Sequence, residues 1–159
     1  MKKRTRISLV VVAVLFGFFL WDSLQVKYGV GVDSVGWLPR EARDITYLKV
    51  DFTSRTAEFT IEREAFEKWC ARRGMPLRKL DSGGYHVVNR CLWGLEQRGI
   101  IPSAPEPNEP EGGFPGMDHT LKHFDPGDLF YEERWSNGGG YSIGYDVEEK
   151  RGYYDYNHH

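Results

Sequence analysis

Cysteine is scarce in this chain. Cys70 and Cys91 are the only two, and no Cys-x-x-Cys pair occurs. That spacing excludes a dithiol redox motif and leaves two readings. The pair could form a disulfide in an oxidising compartment, or stay as two buried thiols acting as small apolar side chains. Signatures of hydrolysis are wanting too. No Ser-x-x-Lys is present, and no carboxylate pair suggests itself. Glu132 and Glu133 are neighbours, so a strand would point them to opposite faces. No catalytic residue is therefore expected, and an enzyme is not the favoured reading. The glycine run Gly138–Gly140 lacks the following Lys-Ser/Thr of a phosphate cradle and reads as a hairpin turn. Positive charge is short as well. Of 21 basic residues four precede Ile7, leaving 17 against 23 acidic ones. An acidic excess repels phosphate backbones, so nucleic acid is excluded as a partner.

What the chain does have is an apolar leader. Lys2, Lys3, Arg4 and Arg6 precede an uncharged run from Ile7 to Trp21. As a helix this run spans about 22 Å, against roughly 30 Å for a hydrocarbon core. The length also suits the apolar region of a secretory signal. No Ala-x-Ala cleavage site follows, and Trp21 closes the run as an interfacial aromatic would. These features favour an uncleaved signal-anchor over 7–21. Positive charge ahead of the run places tail 1–6 in the cytoplasm and the rest outside. The expected localisation is a single-pass protein of the cell membrane. Its C-terminal domain is extracytoplasmic, and periplasmic in a Gram-negative cell.

Residues 22–44 read as a stalk, with three glycines and one proline. Residues 45–157 read as the folded domain. Leu48, Val50 and Phe52 alternate with polar neighbours, as do Ala57, Phe59 and Ile61, which predicts two strands joined by a turn at "TSRT". "EREAFEKWCARRG" is a helix whose Ala65, Phe66, Trp69 and Cys70 share one face, closed by Gly74 and Pro76. Residues 84–98 allow either a helix or a strand, with helix favoured. The segment 102–116 holds five prolines and three glutamates and reads as a long surface loop. "LFYEERWSNGGGYSIGYDVEEKRGYYDY" predicts a three-stranded meander. The sum is an α+β domain: a mainly antiparallel sheet of about five strands covered by one or two helices, preceded by an N-terminal transmembrane helix.

"WLPREARDITYLKV" followed by "AEFTIEREAFEKW" resembles a pattern in small exported or membrane-tethered bacterial proteins of unknown function. Leu38, Pro39, Ala42, Ile45 and Tyr47 carry the likeness, which covers residues 37–70. It implies an extracytoplasmic domain and no known activity.

Function is thus expected to be non-enzymatic: a binding or structural role at the cell envelope, with a protein or envelope component as partner and the membrane engaged through 7–21. The alternative is a metal-binding protein or metal-dependent enzyme. Asp118, His119, His123, Asp125 and Asp128 form the densest polar cluster, and one helical turn would put both imidazoles on one face to hold zinc or another divalent ion together with Asp118. Otherwise no cofactor is expected. The tyrosine-rich meander could also offer aromatic faces to a ligand.

Overall fold

A computed structural model describes residues 16–17, 21, 25–51, 53–81, 86–102 and 120–158. Nine strands and two short helices make up the described body. In chain order they are β1 (Lys27–Val32), β2 (Arg43–Val50), β3 (Ser54–Thr60), α1 (Arg63–Arg72), β4 (Arg78–Lys79), β5 (Val87–Asn89), α2 (Cys91–Gln97), β6 (Leu121–His123), β7 (Leu129–Arg134), β8 (Gly140–Asp146) and β9 (Arg151–Asn157). Seven strands form one antiparallel sheet in the order β1-β2-β3-β9-β8-β7-β4, while β5 and β6 pair as a separate ribbon.

Successive strand residues point to opposite faces, and this sheet buries both. Ala57 and Phe59 face α1 with Ile45, Ile143, Tyr145 and Tyr154. Phe66, Trp69 and Cys70 of α1 complete that cluster, and the segment before β2 closes it with Leu38 and Ala42. The opposite face is covered in two parts. The β5–β6 ribbon brings Val88 and Phe124 onto Phe130 and Tyr153, and α2 brings Cys91 and Leu95 onto Leu48.

The helix α1 depends on this packing more than on its own sequence. Its N-cap, Glu62, makes no side-chain capping bond. Ion pairs Arg63–Glu67 and Glu64–Lys68, both at 2.8 Å, lie in the open, where such pairs contribute about 0.2–0.5 kcal/mol each. Burying Phe66 is the larger effect, since fully burying such a side chain is worth about 1.5–3 kcal/mol.

The expected fold class needs correction. This is a β-rich fold, not an α+β domain with about five strands. The additional strands come from short or glycine-containing segments: β1 lies within the supposed stalk, and β4, β5 and β6 have three residues or fewer. Such pieces lack the run of alternating residues that marks a strand in sequence. The stalk is accordingly part of the body, with Leu38 and Ala42 buried in the core. The expected transmembrane helix is not found either. No helix among the described residues is long and apolar enough to cross a membrane, and most of 7–21 lies outside them.

Other expectations shift less. The β2–β3 turn forms earlier than expected, where Asp51 (φ 51°) accepts the Thr53 amide at 2.6 Å, and Ser54 already opens β3. The ambiguous stretch 84–98 divides between both readings, strand at Val87–Asn89 and helix at Cys91–Gln97. The meander forms as expected from β7, β8 and β9.

Candidate functional site

The helix α2 settles on β2 because Gly94 lets it. A Cβ there would stand 2.8 Å from Leu48 Cδ2, closer than real carbon contacts allow. Cys91 and Leu95 are then buried. Arg90, Trp93, Gly94, Gln97 and Arg98 recur at helical spacing and form one wall of a cleft.

Three adjacent strands supply its floor. Thr56 of β3 lies opposite both Leu48 of β2 and Asp155 of β9, and Ser54 lies opposite Val50 and Asn157. These residues share one face by the two-residue period of a strand. Asn89, at the end of β5, completes the lining, and the cavity measures about 510 Å³. Among the described residues one aromatic ring, two guanidiniums, several hydroxyl and amide groups and a single carboxylate therefore converge on one concave space. A second cavity, about 630 Å³, lies between α1 and residues 74–79. It is larger, but its lining is mainly apolar, with Met75, Pro76, Leu77 and Leu129, and its acidic group Glu67 is held by Arg63. Position-fixing polar groups distinguish a ligand site from a mere recess, and the α2 cleft has more of them.

Two carboxylates lie near each other on this face, in different circumstances. Glu58 is 1% exposed. It accepts the Cys91 amide at 2.8 Å and the Arg90 guanidinium at 3.1 Å. Burial works against the charge of Arg90, but Glu58 outweighs it and holds the guanidinium protonated. Asp155 has no such cation in contact among the described residues. Burial pushes its carboxyl up to about 6, against a hydrogen bond from Asn89 Nδ2 at 2.6 Å and the more distant charge of Arg134. It thus changes charge just below neutrality.

None of the described residues singled out from sequence as site candidates lines this cleft. Asp118 and His119 lie outside the described residues. His123 ends the short strand β6, opposite Val87. Among the described residues no three His, Cys, Asp or Glu side chains group as a metal site. Cys70 and Cys91 are both buried and free, so the disulfide is not formed. The reason is geometric: Cys70 packs on the α1 face with Phe59, while Cys91 sits by Glu58, whose side chain points through the other face. The sheet separates the thiols.

One formal motif escaped the sequence reading. Gly140-Tyr141-Ser142-Ile143-Gly144 fits Gly-x-Ser-x-Gly. That motif acts only at a sharp strand-to-helix turn with a histidine beside the serine. Here it runs along the strand β8, and the buried Ser142 hydroxyl donates to Glu132 at 3.5 Å. Asp155 and the α2 wall were missed outright. An acidic residue inside "YYDYN" carries no sequence signal of burial, because the element that covers it lies some sixty residues earlier in the chain.

Compared with protein-family models, with curated proteins and with solved structures, the chain matches none.

Proposed function

We propose that this chain is a non-enzymatic binding domain whose α2 cleft takes a neutral, hydroxyl-rich ligand of the sugar class. The setting is the cell envelope, as the resemblance over residues 37–70 implies. The observation that carries the reading is the convergence of Trp93, Asp155, Asn89 and Asn157 on one cavity. A sugar presents an apolar ring face and a fringe of hydroxyls that both donate and accept. An indole matches the first. A carboxylate and side-chain amides match the second, since together they supply acceptors and donors.

Binding is favoured over turnover by the state of the two carboxylates. Glycoside hydrolysis takes a pair of carboxylates flanking the scissile bond. Among the described residues Asp155 is the only carboxylate lining the cleft, and nearby Glu58 is already committed to Arg90 and Cys91.

Titrating the full chain with neutral mono- and disaccharides tests this, with the Trp93 indole and Asn89 side-chain amide followed by NMR. The expected result is a saturable shift of both signals for at least one sugar. Affinity falls about tenfold or more in Asp155→Ala, which corresponds to about 1.4 kcal/mol. Lys79→Ala, in the other cavity, leaves it unchanged. Absence of saturable shifts across the sugars, or equal affinity in Asp155→Ala, overturns the proposal.

A further inference from the structure

Two buried donors among the described side chains have no acceptor, Arg55 Nε and Trp69 Nε1. Leaving a buried donor unpaired costs about 1–3 kcal/mol, so an unpaired one in a native structure calls for a physical cause. Both donors lie on the α1 face, around Tyr154. The Trp69 ring meets the Tyr154 ring edge-on, with centroids 5.9 Å apart. Arg55 is reached through the sheet register. On β3 it lies opposite Tyr156, and its neighbour two residues on, Ala57, lies opposite Tyr154. Tyr156 in turn lies opposite Tyr141, and Arg55 lies opposite Lys49. A straight row of Tyr141, Tyr156, Arg55 and Lys49 therefore crosses four strands on one face.

The helix α1 runs toward this row and stops beside it. Its Phe66 stacks near Tyr145 at 5.1 Å, its Trp69 near Tyr154, and Arg73 is its C-cap. Arg73 places its guanidinium carbon 4.9 Å from the Trp69 ring centre and donates to the Trp37 carbonyl at 2.8 Å. Trp37 packs on Tyr154 at 5.3 Å. Electrostatics agree with the convergence. Burial raises both Tyr141 and Tyr154, and in each case Arg73 and Arg55 together pull the other way. Both guanidiniums thus lie within electrostatic reach of the same pair of tyrosines, with Glu133 opposing them at Tyr141.

Among the described residues no carboxylate pairs with either guanidinium, and neither Arg55 nor Arg73 forms a salt bridge. The carboxylate at the end of the row, Glu133, lies opposite Tyr141 and accepts from Tyr131 Oη at 2.7 Å and Trp135 Nε1 at 3.0 Å, which hold it ionised, so it works against an anion there. The C-terminal end of α1 does repel an anion, but only as about half a charge. Two full guanidiniums outweigh the helix end and Glu133 together.

We propose that the α1 face carries an anion site between Arg55 and Arg73, which takes an oxyanion group (carboxylate, sulfate or phosphate) of a ligand resting against Tyr141. An oxyanion offers several acceptors at once and suits a guanidinium fork, whose planar geometry a lysine cannot reproduce. This site lies across the sheet from the α2 cleft and is independent of it.

The test uses the full chain with the Arg55 Nε–H and Trp69 indole signals followed by NMR. Sodium sulfate, inorganic phosphate and sodium acetate are titrated separately at constant ionic strength, with chloride as the control. The expected result is a saturable shift of both signals with one dissociation constant for at least one oxyanion, and none for chloride. The oxyanion that saturates first identifies a tetrahedral or a planar group. Arg55→Lys, which keeps the charge but removes Nε, weakens binding at least tenfold. Arg73→Ala, at an exposed position, weakens it similarly and covers the case in which Arg55 variants do not fold. Linear, chloride-like shifts overturn the site, as does affinity unchanged in Arg73→Ala.

Discussion

Glu58 of β3 reaches across to the start of α2 and accepts the amide of Cys91 at 2.8 Å. The N-cap residue itself, Arg90, makes no side-chain capping bond. A strand side chain therefore caps a helix far along the chain, and Arg90 returns the charge at 3.1 Å. Removing one partner of a buried ion pair costs more than the pair contributes, because the other charge is left behind. Glu58→Ala is expected to destabilise the fold by about 2–4 kcal/mol, less than the deepest pairs because Arg90 is 32% exposed. Glu58→Gln keeps an acceptor for the amide and is expected to cost roughly 1 kcal/mol. Urea unfolding of the three proteins measures both. Equal losses in the two variants would sink the capping role.

Asp155 gives the site a pH dependence of definite sign. Its folded carboxyl titrates at about 6, above its ordinary value of 3.8. The folded state therefore holds this proton more tightly than the unfolded state does. The stability it contributes is full below the ordinary value and is lost as the pH rises through about 6. Asp155→Asn, which cannot ionise, is expected to flatten that part of the Tm-against-pH curve and to be the more stable protein at pH 7. Thermal melts from pH 4 to 8 check this. A parallel decline in both proteins would assign it to other groups.

The two thiols make a second chemical prediction. Burial pushes Cys70 up to about 12, and burial with the charges of Glu58 and Asp155 pushes Cys91 higher still. Since the thiolate is the reactive form, both are expected to resist a thiol reagent at neutral pH while the protein is folded. In denaturant without reductant, two equivalents should react at once. Reductant should leave Tm unchanged. Fewer than two reactive thiols on unfolding would reveal a bond that the sheet geometry forbids.

Legibility from sequence followed the range of the signal. The meander was readable because Tyr141, Ile143 and Tyr145 alternate within a few residues of glycine-rich turns. The helix α1 was readable because Phe66, Trp69 and Cys70 recur at helical spacing. What escaped depends on partners far apart in sequence. β1 is a strand because Tyr28 pairs with Leu48, although its glycines argue locally against one. The α2 cleft exists only because α2 lies over a floor drawn from β2, β3 and β9. The row of Tyr141, Tyr156, Arg55 and Lys49 needs the register of four strands, which no periodicity records.

Phe124 and Gly144 offer the sharpest test of how the second face is closed. Phe124 stands with Phe130 and Tyr153, each ring centroid 5.6 Å from its own, and fills the space over β8. A methyl group at position 144 would run into the Phe124 ring. Gly144→Ala is therefore expected to destabilise the fold by about 1–3 kcal/mol through overpacking, even though alanine suits a strand interior better than glycine. Phe124→Ala is expected to cost about 3–5 kcal/mol through the cavity it leaves. In the double variant the new methyl occupies part of that cavity and meets no ring. Its loss should then fall short of the two single losses added together by roughly 1–2 kcal/mol. Urea denaturation of the four proteins closes the cycle. If the losses add to within about 0.5 kcal/mol, the ring does not rest on Gly144, and the ribbon of β5 and β6 is not seated on the sheet in this way.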